Sequence, residues 1–124
     1  IDDDDDDKRI FGMALEKIDK DIEYGYAPSG IDALKQLNTD KRIPDSIFLD
    51  LNMPLMSGIE CLIELKKISK LAEVPVIIYS TTINEGIGYD TLSNGAFDHI
   101  EKPSKIETLV KYLKRVLQIK DQEI

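Results

Sequence analysis

The chain is poor in several residue types, and each shortage excludes something. It has one cysteine, Cys61, in 124 residues. An internal disulfide and a cysteine-based zinc site are therefore both excluded. Cys61 falls within a helical apolar pattern, where it reads as a small core residue rather than a nucleophile. There is one histidine, His99. No apolar run approaches the ~18 residues needed to span a bilayer, and the chain does not open with a signal-peptide pattern. Cytoplasmic residence with no membrane contact is expected. Cationic residues number 16 against 24 acids, a net charge of -8. With no basic stripe to offset that charge, nucleic-acid binding is not expected.

What is present points to one soluble, globular domain. Hydrophobic residues make up 42% and charged residues 32%, enough of each for a core and a solvated surface. The chain opens on "IDDDDDDKR", with six aspartates from Asp2 to Asp7. Such a run fits a solvated tail, a protease-recognition tag or part of a reactive site, and composition alone does not choose among them.

Apolar spacing predicts alternating helices and strands. Helices are expected over about 7–18, 31–37, 59–69 and 84–94, and from Ser104 onward. The helix at 84–94 is weak, because Gly86 and Gly88 each cost about 1 kcal/mol relative to alanine. Ser104 and Glu107 form the S-x-x-E pattern of a capping box. Strands are expected at "DIEYGY" (21–26, with Ile22, Tyr24 and Tyr26 alternating), "SIFLD", "VPVIIYS" and "AFDHIE". The order argues for a parallel α/β sheet covered on both faces, with right-handed crossovers. No internal repeat or linker interrupts it. The domain is expected to cover 1–119, with 120–124 a polar tail. Ile1 reads as the last residue of a further strand. About five to eight more residues, mostly apolar, are expected upstream of it.

Ligands of open parallel sheets sit beyond the carboxyl ends of the strands. At those ends stand Asp2 and Asp3, then Asp50, then Ser80 with Thr81 and Thr82, then Lys102 and Pro103. Crowded carboxylates repel one another unless a hard cation lies among them, and Mg²⁺ prefers such oxygen ligands. A carboxylate beside Mg²⁺ can attack a phosphoryl group to give an acyl phosphate. A lysine and a hydroxyl would then stabilise the charge on the phosphoryl oxygens.

The stretches "FLDLNMPLMSG", "VPVIIYST" and "GAFDHIEKP" resemble the motifs of response-regulator receiver domains. The resemblance runs from Ile1 to about Leu117. It implies a doubly wound, flavodoxin-like (β/α)5 fold with a five-stranded parallel sheet in the order 2-1-3-4-5. The first strand would be largely missing before Ile1. It implies that Asp50 accepts the phosphoryl group and that Asp2, Asp3, Asp50 and the Asn52 backbone carbonyl hold Mg²⁺. Asp3 would ligate directly and Asp2 through water. Ser80 matches the hydroxyl switch residue, and Lys102 matches the lysine that pairs with a phosphoryl oxygen. Pro103 matches a proline that follows a cis peptide bond. His99 stands at the aromatic switch position, often Tyr or Phe in the family. Asn52, Thr81 and Thr82 occupy positions that tune access to the acyl phosphate and its hydrolysis.

The resemblance also implies partners: a sensor histidine kinase or a histidine phosphotransfer protein as donor, and an output protein received by the 84–119 surface. The domain would be a monomer or a phosphorylation-dependent dimer. It would not be an enzyme beyond its own phosphorylation and dephosphorylation. With the acid pair accounted for in this way, Asp2 and Asp3 belong to a metal site, and Asp4 to Asp7 begin a loop and helix. Two other readings compete. One is a receiver-shaped interaction module that is never phosphorylated. The other is an aspartate-nucleophile phosphohydrolase, disfavoured because Asn52 replaces the second aspartate such enzymes carry.

Overall fold

The computed structural model describes residues 1–81 and 83–117. Thr82 and the proposed tail lie outside the described residues. The described residues form five α-helices and three parallel strands, with strands and helices alternating from β1 onward. The helices are α1 (Asp5–Ile18), α2 (Gly30–Thr39), α3 (Gly58–Lys67), α4 (Glu85–Ser93) and α5 (Ile106–Val116). The strands are β1 (Ile47–Leu49), β2 (Val76–Ser80) and β3 (Asp98–Glu101), in the order β1-β2-β3. A short 3-10 turn, Ser69–Leu71, closes the segment after α3.

The strands are buried on both faces, which explains their near-continuous apolar runs. Every residue of β2 is buried. One core layer joins the sheet to α2 and α3 through Leu49, Cys61, Leu62, Leu65 and Ile78. The other joins it to α1 and α5 through Phe11, Leu15, Ile77, Tyr79, Leu109 and Leu113. Phe11 packs edge-on against both Phe48 and Tyr79, with ring centroids 4.9 and 5.5 Å apart. Burial pushes the Cys61 thiol up to about 11, in keeping with a core residue. Helices on both faces of a parallel sheet make the fold doubly wound, as expected.

The segment 22–26 is not a strand. Its would-be neighbour contributes only Ile1 and Asp2. The Ile1 nitrogen donates to Phe48 O at 2.7 Å, and Asp50 N donates to Ile1 O at 3.0 Å. On the other side Asp2 N donates to Ala27 O at 3.1 Å. These few bonds put Ile1 and Asp2 between the 22–27 segment and β1, the place the family order gives to the first strand. The 22–26 segment itself pairs with no strand among the described residues. A cavity of about 870 Å³, lined in part by Phe11, Ile22, Tyr24 and Phe48, lies beside it.

The Ser104–Glu107 capping box does not form. Helix α5 starts at Ile106, and its cap residue is Lys105, with no side-chain cap bond. The apolar phase of Ile106, Leu109 and Leu113 starts the helix one residue too late for the serine to cap it. A complete capping box occurs at α3 instead. Ser57 Oγ accepts from Glu60 N at 3.2 Å, and Glu60 Oε1 accepts from Ser57 N at 2.9 Å. Helix α4 forms where the weak helix was expected, with Asn84 as its cap and only Gly88 and Thr91 buried.

Candidate functional site

Parallel pairing brings the strand ends together. Asp50 follows β1 and is tied to Ile1 O, which sets it beside Asp2. Ser80 ends β2 and pairs with Glu101 of β3. Lys102 N then donates to Ser80 O at 2.8 Å, extending the ladder by one residue. Behind Asp50, Gly58 N donates to Leu51 O at 2.9 Å and fixes the start of α3 against the loop. A methyl group on Gly58 would lie 2.5 Å from the Asp50 carbonyl oxygen, so only glycine permits this approach.

Asp2, Asp3 and Asp50 each offer an oxygen within 4.8 Å of the others. Asp2 and Asp50 are buried and Asp3 is exposed, so the cluster opens to solvent on one side. The donors are all carboxylate oxygens, and this set fits a hard divalent cation such as Mg²⁺. Asn52 N approaches Asp50 Oδ1 at 3.5 Å. Burial raises the Asp50 pKa above its ordinary value; Lys102 opposes that shift, and Asp2 adds to it.

Lys102 is the cation of the site, and its side chain is 8% exposed. Its Nζ lies 2.9 Å from Asp2 Oδ2, 2.6 Å from Asp7 Oδ2 and 3.5 Å from Asp50 Oδ2. It also stands 5.3 Å from the centre of the Tyr79 ring. Burial alone would lower the lysine pKa. The hydrogen bonds to Asp7 and Asp2 outweigh it, so the ammonium is held above its ordinary range. Ser80 Oγ is fully buried and makes no hydrogen bond of good geometry among the described residues, although it lies close enough to Asp50 to oppose the rise of that carboxyl's pKa. A phosphoryl oxygen on Asp50 would give it a full partner.

The remaining predicted residues lie around this centre. Asn52 and Thr81 are exposed beside Asp50 and Ser80. His99 is half-buried, with Nε2 3.5 Å from where a Gly88 methyl group would sit, so its ring lies against α4. The Lys102–Pro103 bond is trans, not cis as the resemblance implied. For X–Pro bonds the trans form is favoured by about 0.5–1 kcal/mol. Asp7 was not among the predicted site residues. Its signal lay in the helix phase, because one turn back from Phe11 on the buried stripe is position 7.

Comparison with known proteins identifies the family and the fold. The chain is 38% identical over 100 residues to a protein-glutamate methylesterase/protein-glutamine glutaminase of Clostridium acetobutylicum, a match to 79% of this chain and 28% of that protein. It is 27% identical over 123 residues to the sensor histidine kinase CheAY of Helicobacter pylori, and spans 15% of it. The chain thus spans less than a third of these relatives. Among solved structures, it superposes on the phosphorylated cyanobacterial phytochrome response regulator RcpA with a TM-score of 0.84. Identity there is 28%, over 95% of this chain and 88% of that one. CheY4 of Vibrio cholerae gives a TM-score of 0.80 at 28% identity, over 93% and 92%. These matches account for the flavodoxin-like arrangement although three strands are formed among the described residues. The family model for the response regulator receiver domain matches residues 1–114, and the chain belongs to that family.

Proposed function

We propose that Asp50 is the phosphoacceptor and that its donor is the phosphohistidine of a sensor histidine kinase or histidine phosphotransfer protein. One observation carries this reading: the buried Asp50 carboxylate shares an oxygen cluster with Asp2 and Asp3 while the Lys102 ammonium stands 3.5 Å away. Asp2, Asp3, Asp50 and the Asn52 carbonyl would hold Mg²⁺. When bound, the cation neutralises charge on the transferring phosphoryl oxygens. An Asp50 oxygen forms the new O–P bond in line with the N–P bond that breaks, and the donor histidine keeps that electron pair. Lys102 pairs with one phosphoryl oxygen, and Ser80 Oγ donates to another.

The acyl phosphate adds negative charge and acceptor oxygens at the sheet edge. Ser80 and Lys102 are drawn to it, and the loop to α4 moves with Ser80. Helix α4 buries little, so a bias of a few kcal/mol suffices to shift it. The 84–119 surface, which carries the exposed Tyr89, Leu92 and Phe97, then changes its affinity for an output protein or a second copy of the chain. His99 against α4 would couple the two. The methylesterase activity named for the relative is not carried over, because the match spans 28% of that protein.

The test is Mg²⁺-dependent phosphorylation with acetyl phosphate. Mass spectrometry is expected to place one phosphoryl group on Asp50, absent in Asp50→Asn. Undiminished labelling of Asp50→Asn, or none of the wild type, would defeat the proposal. Steady turnover of a small phosphoester would favour the hydrolase.

A further inference from the structure

Six aspartates open the chain, and one of them behaves unlike the rest of the run. Asp4 caps α1, accepting from Asp6 N and Asp7 N at 2.9 and 3.1 Å. Asp5 and Asp6 are exposed, and Asp6 reaches only Arg9, at 3.7 Å. Asp7 instead turns inward from the first turn of α1, and its side chain is 27% exposed. Its Oδ2 lies 2.6 Å from Lys102 Nζ, the shortest contact that ammonium makes.

We infer that Asp7 is a positioning residue: it anchors the Lys102 ammonium beside Asp50 when a divalent cation claims Asp2. This rests on the phosphoacceptor reading. An ammonium has three hydrogens to donate. Two point to Asp2 and Asp7, leaving the third for Asp50 or the group it carries. Asp2 has two suitors, because the carboxylate that holds Lys102 is also one of the three that would hold the metal. A divalent cation drawn into the cluster weakens the Asp2–Lys102 bond. Among the described carboxylates paired with Lys102, Asp7 alone stands outside the metal cluster. Its backbone N–H is held by the helix cap, donating to Asp4 Oδ1 at 3.1 Å, and its carboxylate stands on α1 rather than in the loop that carries Asp2 and Asp3. The Tyr79 ring supports the ammonium from beneath. Asp7 thereby lets the site load its cation without releasing the lysine that must meet the phosphoryl oxygen.

The experiment uses the full chain with ¹³C/¹⁵N-lysine and the variants Asp7→Asn, Asp7→Glu and Asp6→Asn, titrated with Mg²⁺ alone. Lys102→Met assigns the Lys102 side-chain resonance. In the wild type and Asp6→Asn that resonance is expected to keep its hydrogen-bonded position at saturating Mg²⁺. In Asp7→Asn it is expected to move towards the position of a solvated lysine, and Asp7→Glu should restore it largely. Acetyl phosphate labelling at saturating Mg²⁺ should fall roughly three- to tenfold in Asp7→Asn, the scale of losing one partly screened charged hydrogen bond. Asp6→Asn removes the same charge from the same helical turn and so reports the general field effect. If the Lys102 signal and labelling rate of Asp7→Asn match those of Asp6→Asn, the inference is overturned while the phosphoacceptor reading stands. If the wild type is not labelled at all, the phosphoacceptor reading itself has failed.

Discussion

Gly58→Ala tests whether the start of α3 fixes the phosphoacceptor loop. A methyl group there would lie 2.5 Å from both Asp50 O and Leu51 Cα, and 2.9 Å from Leu51 Cδ2. The leucine methyl group can rotate away, but the two backbone atoms cannot. Carbon–carbon contacts are comfortable at roughly 3.5–4.0 Å, so helix and loop must part by about 1 Å. That separation also strains the Gly58 N–H bond to Leu51 O, now 2.9 Å. Overpacking of this kind costs about 1–3 kcal/mol, and a lost hydrogen bond about 1 kcal/mol more. Alanine returns at most about 1 kcal/mol of helix propensity. The net expectation is a loss of about 1–3 kcal/mol, or a urea midpoint lower by roughly 1 M. Acetyl phosphate labelling should slow by at least about tenfold, since a displacement near 1 Å can cost about a hundredfold in positioned chemistry. Gly25→Ala is the control, because a methyl group there meets nothing within 4 Å. Circular dichroism in urea gives the midpoints, and mass spectrometry gives the rates. Equal midpoints and rates for the two variants would refute the reasoning.

Two further outcomes are expected. Burial, assisted by Asp2 and opposed by Lys102, raises the Asp50 pKa above its ordinary value of 3.8. The folded state therefore holds that proton more tightly than the unfolded chain does. Its contribution to stability is full below the unfolded carboxylate value and is lost as pH rises through the folded value. Asp50→Asn, which leaves Lys102 its bonds to Asp2 and Asp7, should thus be more stable than wild type at pH 7 without metal. The gap should close toward acid, and a less stable variant in urea at pH 7 would contradict this. Leu55 has φ of 71° and is 92% exposed, so it carries left-handed strain with no packing in return. Leu55→Asn should raise stability by roughly 0.5–1 kcal/mol, and a lower urea midpoint would count against it.

The strand-end residues were legible because topology, not side-chain detail, brings them together. A buried parallel strand reads as an apolar run, and whatever polar residue ends it must emerge at the sheet's carboxyl edge. That is why Asp50, Ser80 and Lys102 could be placed from sequence, and why Asp2 and Asp3 joined them once Ile1 was read as a strand end. The 22–26 segment misled for the opposite reason. Its alternation of Ile22, Tyr24 and Tyr26 states which faces could be covered, but a strand also needs a neighbour's backbone. Only Asp2 N reaches its end, at Ala27 O.

The capping boxes make a related point. Two S-x-x-E patterns occur, and only Ser57–Glu60 is realised. The difference lies in what fixes the first helical turn. At α3 the Gly58 bond to Leu51 O starts the helix directly after the serine. At α5 the buried stripe sets the phase and leaves Ser104 outside. Asp7 extends the same logic to function. Read as composition, it is one of six equal acids. Read by helical phase, it falls on the line of Phe11, Ala14 and Ile18, where a charge is tolerated only with a partner. The partner is Lys102, 95 residues away in sequence, and no local pattern could have named it. An inward carboxylate on an otherwise apolar stripe is therefore a signal in its own right: it calls for a cationic partner, although only the fold shows that this partner is Lys102.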